Sequence, residues 1–139
     1  MHNRTVSVEI AMSAADVYRY VRDPDELPKW AAGICKSVTV KDGVWHVDTG
    51  TELGTVRFAF CEDNAFGVLD HTVIFPSGSS QLNPMRVVAN GDGAELMFTV
   101  FQTEGMSDEA FVKDVQAVMR DLKTIKMLLE ASEPFSRPG

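Results

Sequence analysis

The sequence has few cysteines and histidines, and neither set is grouped. Cys35 and Cys61 have no Cys-x-x-Cys companion, so neither a disulfide framework nor a zinc site is indicated, and we expect two buried or half-buried thiols. His2, His46 and His71 lack ligand partners at the spacing that a zinc site requires. We therefore predict no metal site, and no motif indicates a cofactor.

Basic residues and long apolar runs are also scarce. The 139 residues include 13 Lys and Arg against 20 Asp and Glu, and the resulting net charge of −7 repels phosphate backbones, so we expect no nucleic-acid partner. No apolar run approaches the roughly 20 residues of a membrane-spanning helix, and the N-terminus lacks the pattern of a signal peptide. These absences predict no membrane insertion and a cytoplasmic location.

Several catalytic motifs are missing as well. The chain has no Gly-rich phosphate loop at a strand-to-helix turn, no G-x-S-x-G elbow and no H-E-x-x-H pair. These absences argue against nucleotide enzymes, serine hydrolases and zinc proteases. They leave open catalysis by dispersed residues of a pocket.

The clearest pattern that is present is an amphipathic segment near the C-terminus, residues 106–130. Apolar residues recur in it at three- and four-residue spacing, and Ser107 is a candidate N-cap followed by two acidic residues. A helix of roughly 23 residues is about 35 Å long, so it needs a partner surface of comparable length. We predict one uninterrupted helix whose inward face is formed by Val115, Val118, Met119, Leu122 and Ile125.

The rest of the chain has the pattern of one strand, two short helices and six further strands. Residues 4–12 alternate between apolar and polar side chains, Ser13 can cap a first short helix, and Asp23 can cap a second. Between residues 34 and 104, turn sequences separate segments with apolar faces. The hairpin chemistry of residues 90–93 places Met85 and Val87 beside Leu96 and Phe98.

These elements predict an α+β fold. An antiparallel sheet of about seven strands would curve around the long helix, and the short helices would close one end. With 45% hydrophobic residues the chain can form one core, so we expect a single domain over residues 1–139, with a flexible tail from about residue 132.

This arrangement resembles the START-like (SRPBCC) superfamily, in its branch of polyketide cyclase/dehydrase and lipid-transport proteins. The resemblance rests on residues 13–17, residues 23–30 and the closing helix, and also on Phe66-Gly67-Val68-Leu69-Asp70-His71, Pro84-Met85-Arg86-Val87 and Gly105-Met106-Ser107-Asp108. It covers almost the whole chain and implies a helix-grip fold with an apolar cavity between helix and sheet. In that family the cavity holds a hydrophobic small molecule, and only some members catalyse a reaction.

His71 is the candidate for acid–base chemistry. Apolar residues share its side of the strand, whereas Asp70 faces the opposite side, so the imidazole should point inward. An inward histidine could move a proton near neutral pH, with its pKa lowered by desolvation unless a cavity carboxylate, such as Glu104, offsets this effect. The alternative is a core histidine that is satisfied by a backbone carbonyl or a water.

A wider set of residues could line the predicted cavity. Gln102 and Glu104 continue the inward parity of the last strand and could form a polar pair at one mouth, although a solvated strand end is the alternative. Arg86 has the opposite parity to its apolar neighbours and should point outward. The predicted ligand-binding residues, each of which could instead be ordinary core, are Trp30, Phe58, Phe60, His71, Phe98, Gln102, Val115 and Met119.

Three functions are compatible with these patterns. The first is binding of a lipid-like or aromatic, polyketide-like molecule in the cavity. The second is a cyclase/dehydrase-like enzyme that uses the same cavity, with His71 as proton carrier. The third is a protein-interaction or homodimerisation domain, which the outward Met97 and Phe101 would support.

Overall fold

The structure is a computed structural model that describes the backbone of residues 1–136 and the side chains of residues 1–131. Its elements in chain order are β1 (Asn3–Ile10), α1 (Ala14–Val21), a 3₁₀ turn (Pro24–Glu26), α2 (Leu27–Trp30), β2 (Ser37–Lys41), β3 (Val44–Asp48), β4 (Thr55–Phe60), β5 (His71–Ile74), β6 (Ser80–Asn83), β7 (Met85–Asn90), β8 (Gly93–Phe101) and α3 (Asp108–Ser136). This is an α+β helix-grip fold. None of the described helices is both long enough and apolar enough to cross a membrane.

The strands form two antiparallel sheets. One has the order β1-β8-β7, and the other has the order β2-β3-β4-β5-β6. The hairpin between β7 and β8 pairs Met85 with Phe98 and Val87 with Leu96, as the turn chemistry predicted. Helix α3 packs against β1 and β8, whereas α1 packs against β7 and β8.

The described part of the chain has eight strands, so the predicted count of about seven was too low. The additional strand arises because β6 and β7 are divided at Pro84, which has no N–H to donate to a ladder. Before Pro84, Asn83 pairs with His71 in the five-stranded sheet, and after it Met85 pairs with Phe98 in the other sheet. Pro84 therefore marks the point at which the chain passes from one sheet to the other.

The two sheets are also joined by residues 67–69, which lie beside β7. Leu69 N–H donates to Met85 O at 2.8 Å, and Val87 N–H donates to Gly67 O at 2.9 Å. Gly67 has a φ of +73°, and a Cβ there would lie 2.0 Å from Val87 O, so only glycine allows this close approach. Backbone hydrogen bonds thus connect the segment that leads into β5 with β7 of the other sheet.

The helix starts follow the sequence signals. Asp16 N–H donates to Ser13 Oγ at 3.2 Å at the start of α1, and Asp25 N–H donates to Asp23 Oδ1 at 3.0 Å. The predicted second helix consists of the 3₁₀ turn followed by the single turn of α2. Trp30 is the last residue of α2 and is buried.

Helix α3 begins at Asp108, two residues later than predicted, and continues to Ser136. Ala110 N–H donates to Ser107 Oγ at 3.1 Å, so Ser107 caps it as expected. Leu122 and Ile125 are 1% and 0% exposed, whereas the other predicted inward residues, Val115, Val118 and Met119, are half-buried. The predicted flexible tail, residues 132–139, lies outside the described side chains and stays a prediction.

The C-terminal half of α3 is fastened to the end of β1. Lys126 Nζ donates to Glu9 O at 2.6 Å and to Glu130 Oε2 at 2.7 Å, and the same Glu130 oxygen accepts from Ala11 N–H at 2.9 Å. The core beneath it includes Ile10 and Leu129. This contact fixes the axis of α3 across the three-stranded sheet.

Candidate functional site

A cavity of about 300 Å³ lies between α3, α2 and the sheet. Ligand pockets typically enclose roughly 300 to 1,000 Å³, so this one suits a small molecule. Ile34 and Leu53 line it and are 48% and 49% exposed, so they mark its opening to solvent.

The sheet and the helices supply opposite walls of the cavity. Alternate side chains of each strand point toward the cavity, and most of those at inward positions are apolar. The apolar residues of this sheet wall include Val56, Phe58, Val73, Phe98 and Val100. The polar side chains on that wall are His71, Gln81 and Asn83. The helix wall consists of Trp30 and Ala31 from the end of α2, and of Asp114, Ala117, Val118, Asp121 and Leu122 from α3.

His71 points inward and is 4% exposed. Its Nδ1 lies 3.1 Å from Leu69 O, which can only accept, so Nδ1 carries the proton. Its Nε2 then accepts from Asn83 Nδ2 at 3.4 Å, and Asn83 Oδ1 accepts from Gln81 Nε2 at 3.2 Å. Burial lowers the pKa of His71, while the Leu69 carbonyl and the Asp70 charge oppose this shift. The ring is therefore a neutral imidazole at pH 7.

Three phenylalanines enclose the His71 ring. Phe58 stacks on it with a centroid distance of 5.4 Å and an interplanar angle of 15°, and Phe60 lies 5.0 Å away at 35°. Phe98 contacts it edge-on at 5.9 Å. These contacts hold the imidazole in one orientation and shield most of it from solvent.

Of the two acidic residues considered together with His71, Asp70 behaves as expected and Glu104 does not. Asp70 Oδ1 accepts from Met85 N–H at 2.9 Å, so it supports the junction of the sheets and does not orient the ring directly. Glu104, the predicted cavity carboxylate, is exposed and does not line the cavity, because β8 ends at Phe101 and the chain then turns toward α3. The expectation for Glu104 was therefore wrong.

Of the predicted ligand-binding residues, the structure brings Trp30, Phe58, His71 and Phe98 together in the cavity wall. Phe60 is half-buried, and its ring lies between the rings of His71 and Trp45, behind the wall.

The remaining predicted residues lie elsewhere. Gln102 Nε2 donates to Met106 O at 2.9 Å and to Asp108 Oδ1 at 2.8 Å, so it holds the turn before α3. Val115 and Met119 line a separate groove between α3 and β1, because the rotation of α3 aims them past the edge of the cavity.

Asp114 and Asp121 are site residues that the sequence reasoning missed. Asp114 lies at the exposed rim of the cavity, and partial loss of water contact raises its pKa above the ordinary value. Asp121 is half-buried, and burial raises its pKa to about 6, a shift that the nearby Arg120 opposes. Neither carboxylate has a hydrogen bond or ion pair with any other residue that the structure describes. Their seven-residue spacing, with Ala117 between them, is the signal that places them on one helix face.

Gln81 and Asn83 were missed for a different reason. They have the same odd parity as Met85 and Val87, which the sequence analysis had placed inward. Extending that parity back across Pro84 would have placed both amides in the cavity wall.

Trp30 combines burial with an unused donor. The residue is 6% exposed, and its indole Nε1 has no hydrogen-bond partner among the described residues. Buried polar groups in folded proteins are nearly always paired with protein, water or ligand. The Trp30 indole N–H is therefore a buried donor that the described part of the protein leaves unpaired.

The two thiols are buried or half-buried and are not joined to each other. Cys35 is buried, and burial, together with the nearby Asp48 charge, raises its pKa to about 11. Cys61 is half-buried and donates to Val68 O at 3.4 Å. Among the described residues, no group of three or more His, Cys, Asp or Glu side chains is placed to hold a metal ion.

Comparisons with known proteins agree with this architecture. The model of a family described as polyketide cyclase/dehydrase and lipid transport matches residues 1–125. A search of curated proteins finds no match. The crystal structure of Ara h 8.0201 is similar, with 19% identity, a TM-score of 0.71, and coverage of 94% of this chain and 98% of that chain.

Two further solved structures share the fold. DynU16, a putative protein of the dynemicin biosynthetic locus, has 14% identity and a TM-score of 0.71, covering 92% of this chain and 47% of its own. Truncated norcoclaurine synthase from Thalictrum flavum has 17% identity, a TM-score of 0.58 and 92% coverage of both chains. At these identities the likeness concerns the fold alone.

Proposed function

The chain belongs to the family of polyketide cyclase/dehydrase and lipid-transport proteins, and from this premise we propose that it binds a hydrophobic small molecule in the cavity under α3. The observation that carries the proposal is the cavity itself, which has about 300 Å³ of space and a largely apolar wall. Such a wall favours an apolar ligand, because burial of apolar surface contributes roughly 25 cal/mol per Å².

The shape of the wall narrows the class of ligand. Phe58 and Phe98 present aromatic rings on the sheet side, and Val118 and Leu122 present branched aliphatic groups on the helix side. Aromatic side chains favour offset-stacked or edge-to-face contacts with other rings. The ligand is therefore a compact molecule that contains at least one ring, in preference to an extended acyl chain.

Titration with a neutral fluorescent probe, N-phenyl-1-naphthylamine, tests the proposal. The wild-type protein should give a saturable rise in fluorescence. Ala117→Trp places an indole in the cavity and should weaken binding by at least about tenfold, because the space is near the lower limit for a ligand pocket. Gln116→Trp adds the same side chain at the neighbouring exposed position, which does not line the cavity, and should bind as the wild type does.

Thermal unfolding of both variants separates a filled cavity from a misfolded protein. Equal binding by wild type and a folded Ala117→Trp variant would contradict the proposal. Native mass spectrometry of freshly purified protein gives a second test, because co-purified ligand, bare monomer and stable dimer differ in mass. A stable dimer without ligand would favour the alternative of an interaction domain.

A second candidate function is catalysis in the same cavity, and the observation that favours it is the state of His71. Its ring is neutral, buried and held in one orientation by its Leu69 contact and the surrounding aromatic rings. A neutral imidazole in a dry wall can accept a proton from a ligand hydroxyl or activated carbon when Nε2 exchanges its Asn83 contact for the ligand. Cyclisation and dehydration both need such a transfer.

A further inference from the structure

Strand β1 has a free edge, because it pairs with β8 on one side and with no described strand on the other. Gln102 N–H donates to His2 O at 2.8 Å, so the even-numbered residues of β1 direct their backbone groups toward β8. The contact of Lys126 Nζ with Glu9 O agrees with this parity. The residues that direct their backbone groups away from the sheet are therefore Asn3, Thr5, Ser7 and Glu9.

Helix α3 covers only one end of this edge. The outward carbonyl of Glu9 and the N–H of Ala11 are satisfied by side chains of α3. Among the described residues, the outward N–H and C=O groups of Asn3, Thr5 and Ser7 have no hydrogen-bond partner. An edge strand with unpaired backbone groups can accept a further strand. The first half of β1 is therefore open to pairing.

A groove of about 450 Å³ lies beside the open stretch, between β1 and the first half of α3. No described residue of β8 lines it, so the groove lies on the free side of β1. Its lining is both apolar and cationic. The apolar residues are Val6, Phe111, Val112, Val115 and Met119, and the cations are Arg4, Arg120 and Lys123.

The charges of this groove are opposite in sign to the net charge of the chain. The chain has 20 acidic and 13 basic residues, yet no described acidic side chain lines the groove. Arg4, Arg120 and Lys123 are exposed, and none forms an ion pair with a described residue, although Arg120 opposes the raised pKa of Asp121. The groove is therefore complementary to an acidic partner, which the rest of the surface repels.

We propose that the edge of β1 and this groove bind an extended acidic segment of a partner protein. The segment adds a strand beside β1, and its backbone pairs with Asn3, Thr5 and Ser7. Its alternate side chains lie on the same face as Arg4 and Val6, so those that enter the groove are acidic or apolar. The groove shares no lining residue with the cavity, so this inference goes beyond the proposed function.

Two other occupants match the surface less well. Pairing of two β1 edges about a two-fold axis would bring the cations of both copies to one junction, where like charges repel. An anionic membrane surface would match the cations but would not pair with the edge as a strand does. An acidic segment in extended conformation complements both the backbone groups and the charges.

Fluorescence anisotropy with a labelled heptapeptide tests the proposal. The peptide has blocked ends, threonine at its odd positions, and glutamate, leucine and glutamate at its even positions. It should bind saturably at about 0.15 M salt, and at least about tenfold more tightly than the same peptide with glutamine in place of glutamate. Binding should weaken at about 0.5 M salt, because exposed charges are screened.

N-methylated peptides test whether the backbone pairs with β1. A strand directs the N–H groups of alternate residues to opposite edges, so methylation of the threonines blocks one edge of the peptide, and methylation of the other residues blocks the opposite edge. One methylated peptide should therefore bind at least about tenfold more weakly than the other. Equal affinities would overturn strand addition.

Charge variants locate the site. Arg120→Gln combined with Lys123→Gln should weaken peptide binding at least about tenfold. Arg57→Gln combined with Lys41→Gln removes the same charge at exposed positions of other strands and should bind as the wild type does. Equal weakening by both pairs would assign the binding to net charge and overturn the site.

Edge variants test the backbone groups of the protein. Ser7→Pro removes an N–H that points away from β8, so the sheet should keep its ladder, whereas peptide binding should weaken at least about fivefold. Ser7→Val keeps the N–H and should bind as the wild type does. Thermal unfolding verifies that both variants are folded. Unchanged binding by a folded Ser7→Pro variant would contradict the proposal.

The other occupants give different results. A dimer of the peptide-free protein that Ser7→Pro abolishes, seen by native mass spectrometry, would assign the edge to a second copy and overturn the proposal. Binding to vesicles that contain phosphatidylglycerol, without binding of the acidic peptide, would assign the cations to a membrane surface and overturn it as well.

Discussion

The two sheets differ in what lies against their inward faces. The three-stranded sheet is covered directly by α1 and α3 around Ile10, Met85 and Leu96, which are at most 1% exposed, and it borders the cavity at Phe98 and Val100 of β8. The inward face of the five-stranded sheet is also shielded from solvent, since Phe58 is 2% exposed, yet this residue borders an open cavity. Burial alone therefore does not distinguish a packed core from a binding wall.

The two halves of α3 differ in the same way, since one packs against the core and the other borders the cavity. Beyond Leu122 the helix presents buried Ile125 and Leu129 to the core, and Lys126 and Glu130 tie it to β1. Before Leu122 it presents two acidic residues, an alanine and a valine to the cavity, namely Asp114, Asp121, Ala117 and Val118. One half of the helix stabilises the domain, and the other half shapes a site.

The largest effect on stability is expected on the packed side. Ile125→Ala removes a fully buried side chain and should lower the free energy of unfolding by about 2 to 5 kcal/mol, because a cavity replaces packed atoms. Val118→Ala, above the existing cavity, should lower it by about 1 kcal/mol or less. Urea denaturation measures both values, and equal losses would contradict the division of α3 into two functional halves.

The second prediction concerns the cavity side and separates a carrier from an enzyme. If the cavity catalyses a reaction, His71→Ala should lower turnover at least about a hundredfold, because general acid–base catalysis contributes roughly 10² to 10⁴ in rate. Ligand binding should weaken by only about 0.5 to 1.5 kcal/mol, the loss of one neutral hydrogen bond. Binding and turnover are measured on the same preparations.

Asn83→Ala sharpens this test, because it removes the Nε2 partner and leaves the imidazole in place. Equal turnover by wild type and His71→Ala would remove His71 from the mechanism.

The smallest expected effect is a gain in stability, in contrast to the losses above, and it concerns Asp121. Burial raises the pKa of Asp121 from 3.8 to about 6, so the folded protein favours the protonated carboxyl. The stability that this preference provides is fully present below pH 3.8 and is lost as the pH rises through 6. Asp121→Asn should therefore be more stable than the wild type at about pH 8, by about 1 kcal/mol after allowance for solvent screening of a half-buried group.

Urea denaturation across this pH range checks the prediction for Asp121. The advantage of the asparagine variant should shrink as the pH falls below 6. Asp92→Asn, at an exposed turn, serves as the control and should change stability little at either pH. An asparagine variant that is less stable at high pH would show that the carboxylate has a structural partner.

Local periodicity accounts for what could be predicted from the sequence. Strand alternation predicted that His71, Phe58 and Phe98 point inward, and all three line the cavity. The three-and-four spacing predicted α3, and Ser107 caps it as expected. These features depend on neighbours in the chain, so they need no knowledge of tertiary packing. The α+β class and the helix-grip fold followed from their order.

The errors arose where tertiary packing decides the outcome. The apolar stripe of α3 is wider than the cavity, and only the rotation of the helix assigns Val115 to the β1 groove and Val118 to the cavity. Asp114 and Asp121 were missed because pattern rules assign charged residues to solvent. The end of β8 at Phe101 determined that Glu104 would face water.

The contact between α3 and β1 also constrains the order in which the protein can fold. Glu130 and Ala11 are 119 positions apart, and Lys126 and Glu9 are 117 apart, so the first strand finds these partners only after nearly all the described chain has been synthesised. Domains dominated by such distant contacts fold slowly, because loop-closure entropy is lost before the contacts form. On the ribosome, the inward face of β1 therefore stays uncovered until α3 emerges, which makes chaperone binding during synthesis an expected part of the life of this fold.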